Sequence, residues 1–221
     1  MRGKNFIRFR ALILVAVCSG VWGCPQSVKA QWKVGADLVV AIPMAEFTEV
    51  TDTGTGLELK GHYGLRNLPN VSLGADAIFI TYQYEPYFEP GFMVETRTQS
   101  IRFTLGPQLS AYYRRTELYL SAKYGLYYFY THDDIFDGFG IWLTRTRNSN
   151  TEFGWNVTSG LVVGIARMPK KNFDLAVHVG GSWHVVRDGF KTVIETEGDP
   201  IDVRRDIEEF CIHAGLVFLF R

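Results

Sequence analysis

The sequence predicts an all-β chain: an eight-stranded antiparallel up-and-down transmembrane β-barrel over residues 31–221. Three observations predict it. Eight segments alternate apolar and mixed residues with the period of a strand. Short and long connections alternate between those segments. Formal charges stay off the apolar face of every segment.

The segments, in order, are Trp32–Ile42, Leu57–Leu65, Val71–Thr81, Ile101–Ala111, Leu118–Tyr130, Phe153–Ile165, Phe173–Val185 and Phe210–Phe220. In the first, Trp32, Val34, Ala36, Leu38, Val40 and Ile42 share one parity, and Lys33, Gly35, Asp37, Val39 and Ala41 the other. In the last, Phe210, Ile212, Ala214, Leu216, Phe218 and Phe220 oppose Glu209, Cys211, His213, Gly215, Val217 and Leu219. The six between follow the same rule. Lengths of about 9–13 residues suffice to cross a bilayer at a tilt of about 45°.

Asn67–Asn70, Arg114–Thr116 and Pro169–Asn172 make short turns, whereas 44–55, 84–98, 131–151 and 187–206 make long connections. Membrane barrels alternate in this way, with short periplasmic turns and long external loops. Lys33, Asp37, Glu58, Lys60, Asp76, Arg102, Glu117, Lys123 and Asp174 all fall on the mixed face. The exclusion has a cause: Arg or Lys facing lipid at mid-bilayer costs about 2–4 kcal/mol. Aromatic residues of the apolar parity gather near the segment ends. Trp32, Phe173, Phe218 and Phe220 mark one interface, and Phe79, Tyr128, Tyr130, Trp155 and Trp183 the other.

The 221 residues carry no net formal charge, but Arg2, Lys4, Arg8, Arg10 and Lys29 stand in the first thirty residues without an acid. The rest is therefore net −5, which excludes a strongly basic nucleic-acid binder. An apolar content of 47% excludes a disordered chain. The early bases precede the apolar run Ala11–Val17, and Val28-Lys29-Ala30 offers small residues for cleavage before Gln31. This is the layout of a secretory signal peptide over 1–30, with residues 31–221 forming the barrel domain. A rival reading takes Val21-Trp22-Gly23-Cys24 as a lipobox with an acylated Cys24, although Trp22 fits it poorly. After cleavage at Ala30 only Cys211 remains, so no intrachain disulfide is expected.

On these residues the chain resembles the small eight-stranded outer-membrane barrels of the OmpA/OmpX type, over about 31–221. His213-Ala214-Gly215-Leu216-Val217-Phe218-Leu219-Phe220 is similar to their terminal insertion signal, carried by His213, Gly215, Phe218 and Phe220, with Arg221 added beyond it. The resemblance implies periplasmic chaperones and the barrel-assembly machinery as partners in biogenesis, outer-membrane lipid as surroundings, and a monomer. The peptidoglycan-binding domain that OmpA adds is not implied.

A soluble lipocalin-like barrel is the structural rival, and it would turn the apolar parity inward. An eight-stranded lumen barely holds its own side chains, so wide diffusion is not expected. The inward Lys33, Glu58, Lys60, Asp76, Arg102 and Lys123 are expected to form a structural polar network rather than a conduit. The inward glycines are expected to make room for Arg102, Tyr119, Tyr127 and Phe129.

No enzyme motif emerges. Lipid A deacylases that resemble this scaffold use a His and a Ser two apart, and none of His62, His132, His178, His184 or His213 has Ser at the second following position. There is no zinc spacing and no phosphate cradle, and His132-Asp133-Asp134 reads as a solvated loop tip. The expectation is a non-enzymatic outer-membrane protein without cofactor or metal, its long loops facing outside. A narrow conduit or carrier for a small or apolar solute is the second reading, and a lipid-modifying enzyme the third.

Overall fold

A strand that is oily on one side and mixed on the other must choose which side meets water. Here the choice is visible residue by residue. In the computed structural model Leu38, Leu161, Val177 and Leu216 are 68%, 36%, 36% and 45% exposed, while Asp37, Ser182 and His213 are each 1% exposed. The oily parity faces out and the polar parity faces in, the reverse of a soluble barrel. Such an exterior is stable only against hydrocarbon.

The structure describes residues 32–49, 51–83, 87–89, 92–137, 139–168, 172–194 and 201–220. Residues 1–30, expected to form the export segment with cleavage at Ala30 and including Cys24, lie outside them, as does Arg221. Eight strands build the wall: β1 (Trp32–Met44), β2 (Gly54–Gly64), β3 (Val71–Gln83), β4 (Phe92–Tyr113), β5 (Thr116–Asp137), β6 (Trp142–Met168), β7 (Phe173–Ile194) and β8 (Ile201–Phe220). Each pairs antiparallel with the next, and β1 pairs with β8 from Trp32↔Phe220 to Met44↔Glu208, which closes the ring. Closure satisfies every edge that lipid would otherwise leave unpaired. A 3-10 turn, Ala45–Glu49, follows β1, and a three-residue strand, Tyr87–Glu89, folds onto the start of β4.

The short turns are tight. Arg114 and Asn172 adopt left-handed backbone angles, φ 55° and 57°, to reverse the chain. At that end outward rings cluster: Trp32 lies 4.8 Å from Tyr63, and Phe173 lies 5.7 Å from Phe218 and 5.9 Å from Phe220.

The strands at the opposite end correct the sequence expectation. The supposed loops 84–98, 131–151 and 187–206 are largely strand, because β4 to β8 run 20–27 residues. That is about twice the 9–11 needed to cross a bilayer. The physical reason is that alternation records a one-sided apolar environment. Past the hydrocarbon both faces meet polar surroundings, so the ladder continues while the pattern stops. Cross-strand side chains support it instead: Thr96 donates to Asp133 at 2.6 Å, and Arg145 holds Asp134 through two bonds of 2.6 and 2.7 Å. The Arg145 hydrogen bonds push the Asp134 carboxyl down to about 2. The β5–β6 tip turns at Gly140, whose φ of 82° suits glycine, and Asp137 caps the amides of Phe139 and Ile141.

These extensions form two leaves. The β6–β7 ladder rises only to Gly154↔Val186, and the β3–β4 ladder to Gln83↔Arg97. Above those pairs β4, β5 and β6 stand as one sheet and β7 with β8 as another. The Asn150 amide reaches across the gap to the Gly189 carbonyl at 3.0 Å.

The facing of the strands gives a test. Leu216→Arg, on the outer face, is expected to block assembly, whereas Val217→Thr, on the lumen side of the same strand, is expected to be tolerated. Heat-modifiable gel mobility of the extracted protein reads both, and equal tolerance would contradict the observed facing.

Candidate functional site: the barrel interior

The inward parity stacks polar residues in tiers. At the short-turn end a cavity of about 190 Å³ is lined by Lys33, Tyr112, Arg114, Arg115, Glu117 and Arg167, among others. Its inner wall is the Lys33–Glu117 ion pair, and Glu117 also accepts from Ser110 at 2.7 Å and Gln108 at 3.2 Å. A smaller space of about 20 Å³ shares Lys33 and Glu117 and continues inward to Lys60 and His178. That is room for about one water molecule.

The next tier comes from register. Asp37 pairs across β1–β2 with Glu58, and Gly35 with Lys60. Two carboxylates side by side repel, and the Lys60 ammonium relieves this by binding Asp37 and lying 3.8 Å from Glu58. His178 Nδ1 also meets Asp37 Oδ2 at 2.6 Å, and the Tyr119 hydroxyl lies 2.6 Å from His178 Nε2. Beside this group Lys123 pairs with Asp76, with His62 3.5 Å from the ammonium.

Deeper, Ser182 Oγ lies 2.7 Å from His184 Nε2 and 2.6 Å from His213 Nε2. His184 Nδ1 lies 3.0 Å from the Tyr127 hydroxyl. His213 Nδ1 is 3.0 Å from Glu58 Oε2 but is not aligned with it as a hydrogen bond. Ser182 with His213 and Glu58 has the residue types of an activated hydroxyl. All three are buried, so the hydroxyl has no approach for a substrate.

Arg102, fully buried, closes the polar series by binding Glu209 and the Tyr82 hydroxyl. Its guanidinium also sits over the rings of Tyr127 and Phe129, 5.5 and 5.9 Å from their centroids. Above it the lumen turns apolar. Phe47, from the 3-10 turn, packs edge-on against Tyr82 and Phe129 with Ile80, Val186 and Ile207. The described residues thus fill the lumen at this end.

All six residues named for the lumen network, Lys33, Glu58, Lys60, Asp76, Arg102 and Lys123, point inside. Of these, Lys123 meets Asp76, and Lys60 approaches Glu58. The other partners lay outside that set: Asp37, Glu117, Glu209, His178 and His213. Each shares the inward parity of its strand, and that was the signal available to find them. Ser182 does not complete a His–Ser motif in the sequence, because it stands two residues before His184 rather than after. Glycines admit the rings: a Cβ at Gly160 would lie 2.7 Å from the Tyr119 hydroxyl, and one at Gly154 2.9 Å from the Tyr127 ring.

The four residues of the terminal motif divide by parity. His213 faces Ser182. Gly215 faces Asp37, where any Cβ would meet the Ala36 carbonyl at 2.1 Å. Phe218 and Phe220 face outward beside Phe173.

With this geometry the chain can be set beside known proteins. No family model and no curated protein matches it. Solved structures do. Neisserial surface protein A matches with a TM-score of 0.52 at 16% identity, covering 86% of this chain and 97% of that one. Ail, the attachment invasion locus protein of Yersinia pestis, gives 0.40 at 12%, covering 85% and 96%. The outer membrane protein OprG from Pseudomonas aeruginosa gives 0.43 at 10%, covering 85% and 94%. What the chain shares with Neisserial surface protein A is the fold, the small eight-stranded barrel.

Removing one partner of a buried ion pair strands the other charge and costs about 3–5 kcal/mol, whereas replacing both with apolar groups costs far less. Arg102→Met is therefore expected to destabilise the barrel by about that amount. Adding Glu209→Leu is expected to recover most of the loss. Urea unfolding in detergent measures both, and a double variant no better than the single would show that Arg102 acts through packing.

Proposed function

We propose that this chain is an integral protein of a bacterial outer membrane, exported through a cleaved signal peptide, with a non-enzymatic structural or surface-interaction role. The observation that carries the reading is the pairing of an oily exterior with a filled interior. The exterior supports a lipid setting. The interior, packed from the Lys33–Glu117 pair to Phe47, supports a wall rather than a passage. The enclosed Ser182 supports a non-catalytic role.

The short-turn end, with both barrel termini, then faces the periplasm, and the leaves rise outside. The β5–β6 tip favours recognition there. Phe139, Ile141 and Trp142 are 94%, 63% and 56% exposed at a height where no lipid covers them. The name of Neisserial surface protein A is in keeping with such a disposition. The motif in β8 supports handling by periplasmic chaperones and the barrel-assembly machinery, and a barrel closed on itself supports a monomer.

Two measurements test this. In planar bilayers the purified protein is expected to give no single-channel steps, and reproducible steps would favour the narrow conduit. Phe139→Cys on intact cells is expected to react with a membrane-impermeant maleimide. Labelling that requires disruption of the outer membrane would invert the proposed orientation.

A further inference from the structure

Apart from Arg114, Arg115, Arg167 and Asp174 at the mouth of the short-turn cavity, the ion pairs of the described lumen join four cations, Lys33, Lys60, Arg102 and Lys123, to five carboxylates, Asp37, Glu58, Asp76, Glu117 and Glu209. Three pairs balance locally: Lys33–Glu117, Lys123–Asp76 and Arg102–Glu209. Among these pairs the excess formal negative charge sits in one place, where the Lys60 ammonium serves both Asp37 and Glu58. An uncompensated charge in a buried lumen is costly.

The same place holds unused donor atoms. Asp37 Oδ2 is taken by Lys60 and His178, but Oδ1 is buried without a hydrogen-bond partner. It lies on the β8 side, 2.3 Å from where a Cβ of residue 215 would stand, so Gly215 leaves it room. Buried His213 Nδ1 also lacks a hydrogen-bond partner, although Glu58 Oε2 is 3.0 Å away. Ligand atoms of Asp37, Glu58 and His213 all fall within 4.8 Å of one another. In the tetrahedral shell of zinc two donors each about 2.1 Å from the ion lie about 3.4 Å apart, and His213 Nδ1 and Glu58 Oε2 stand within a few tenths of an ångström of that spacing.

The surroundings have the form of an outer shell. A metal-bound imidazole is ordinarily fixed through its other nitrogen, and a ligating carboxylate through its other oxygen. His213 Nε2 meets Ser182, which meets His184, and Asp37 Oδ2 is held by Lys60 and His178. The space of about 20 Å³ at Lys60 and His178 shares Lys33 and Glu117 with the cavity at the short-turn end.

We propose that Asp37, Glu58 and His213 form a binding site for one first-row divalent cation of the zinc class inside the barrel. One nitrogen and two carboxylate oxygens suit such an ion better than calcium or magnesium, which take all-oxygen shells. The site draws on β1, β2 and β8, so the ion would tie together the strands at the closing seam. A second cluster, His184, Glu209 and Cys211, is less suited, because Glu209 already binds the Arg102 guanidinium.

The test uses the detergent-extracted protein, stripped with a chelator and dialysed against zinc. Elemental analysis is expected to find one zinc per barrel. Cobalt substitution is expected to give visible bands of nitrogen and oxygen ligation without a thiolate charge-transfer band. His213→Gln and Glu58→Gln are each expected to weaken zinc binding by about tenfold or more. Cys211→Ser is expected to leave it unchanged. Heat-modifiable mobility shows which variants are folded, and the wild-type stoichiometry and cobalt spectrum stand without them. A wild-type barrel that retains no zinc overturns the proposal. Zinc retained equally by both folded variants overturns it as surface binding. A thiolate band overturns it in favour of the Cys211 cluster.

Discussion

Hydrocarbon tolerates neither an unpaired amide nor an unpaired charge, and that intolerance organises this molecule. The first prohibition forces the sheet to close, since an open edge would leave a row of unsatisfied groups. β1 meets β8 over the full length of β1 for that reason. The second prohibition turns one parity of every strand outward and gathers the charged parity in a space barely wide enough to hold it. The polar interior is thus a product of the oily exterior.

Once inside, the charges lose water and must find one another. Beyond the Lys60–Asp37 contact between paired strands, the main pairings cross the barrel. Arg102 on β4 meets Glu209 on β8, and Lys33 on β1 meets Glu117 on β5. Such contacts join strands that share no ladder, so they brace the cylinder across its diameter. Glycines opposite the large rings complete the fit, and Phe47 fills the lumen past the last ion pair.

Much of this was legible in the amino-acid sequence, because parity in a strand is strictly local. Leu38 and Asp37 could be assigned to opposite faces from their neighbours alone. The strand count, the order and the inward set followed from the same rule. Three things were not legible. Partner choice depends on tilt and register, so Arg102 gives no sign that Glu209, 107 positions away, receives it. The strand extensions carry no alternation, because around Thr96, Arg145 and Asn150 no hydrocarbon lies against one face of the sheet. The inward turn of Phe47 sits in a stretch with no period at all, and only the three-dimensional lumen shows the space it fills. The constellation of Asp37, Glu58 and His213 is of the same kind: three strands supply one residue each, so no linear spacing announces it.

The two leaves above the membrane have a consequence for how this protein can change. Since the leaves share no ladder with each other, a residue added to or lost from one shifts no register in the other or in the wall below. The same strands therefore carry an adaptable half and a constrained half, divided by height along the cylinder rather than by position in the chain. Variation can accumulate at the top while the bottom stays unaware of it.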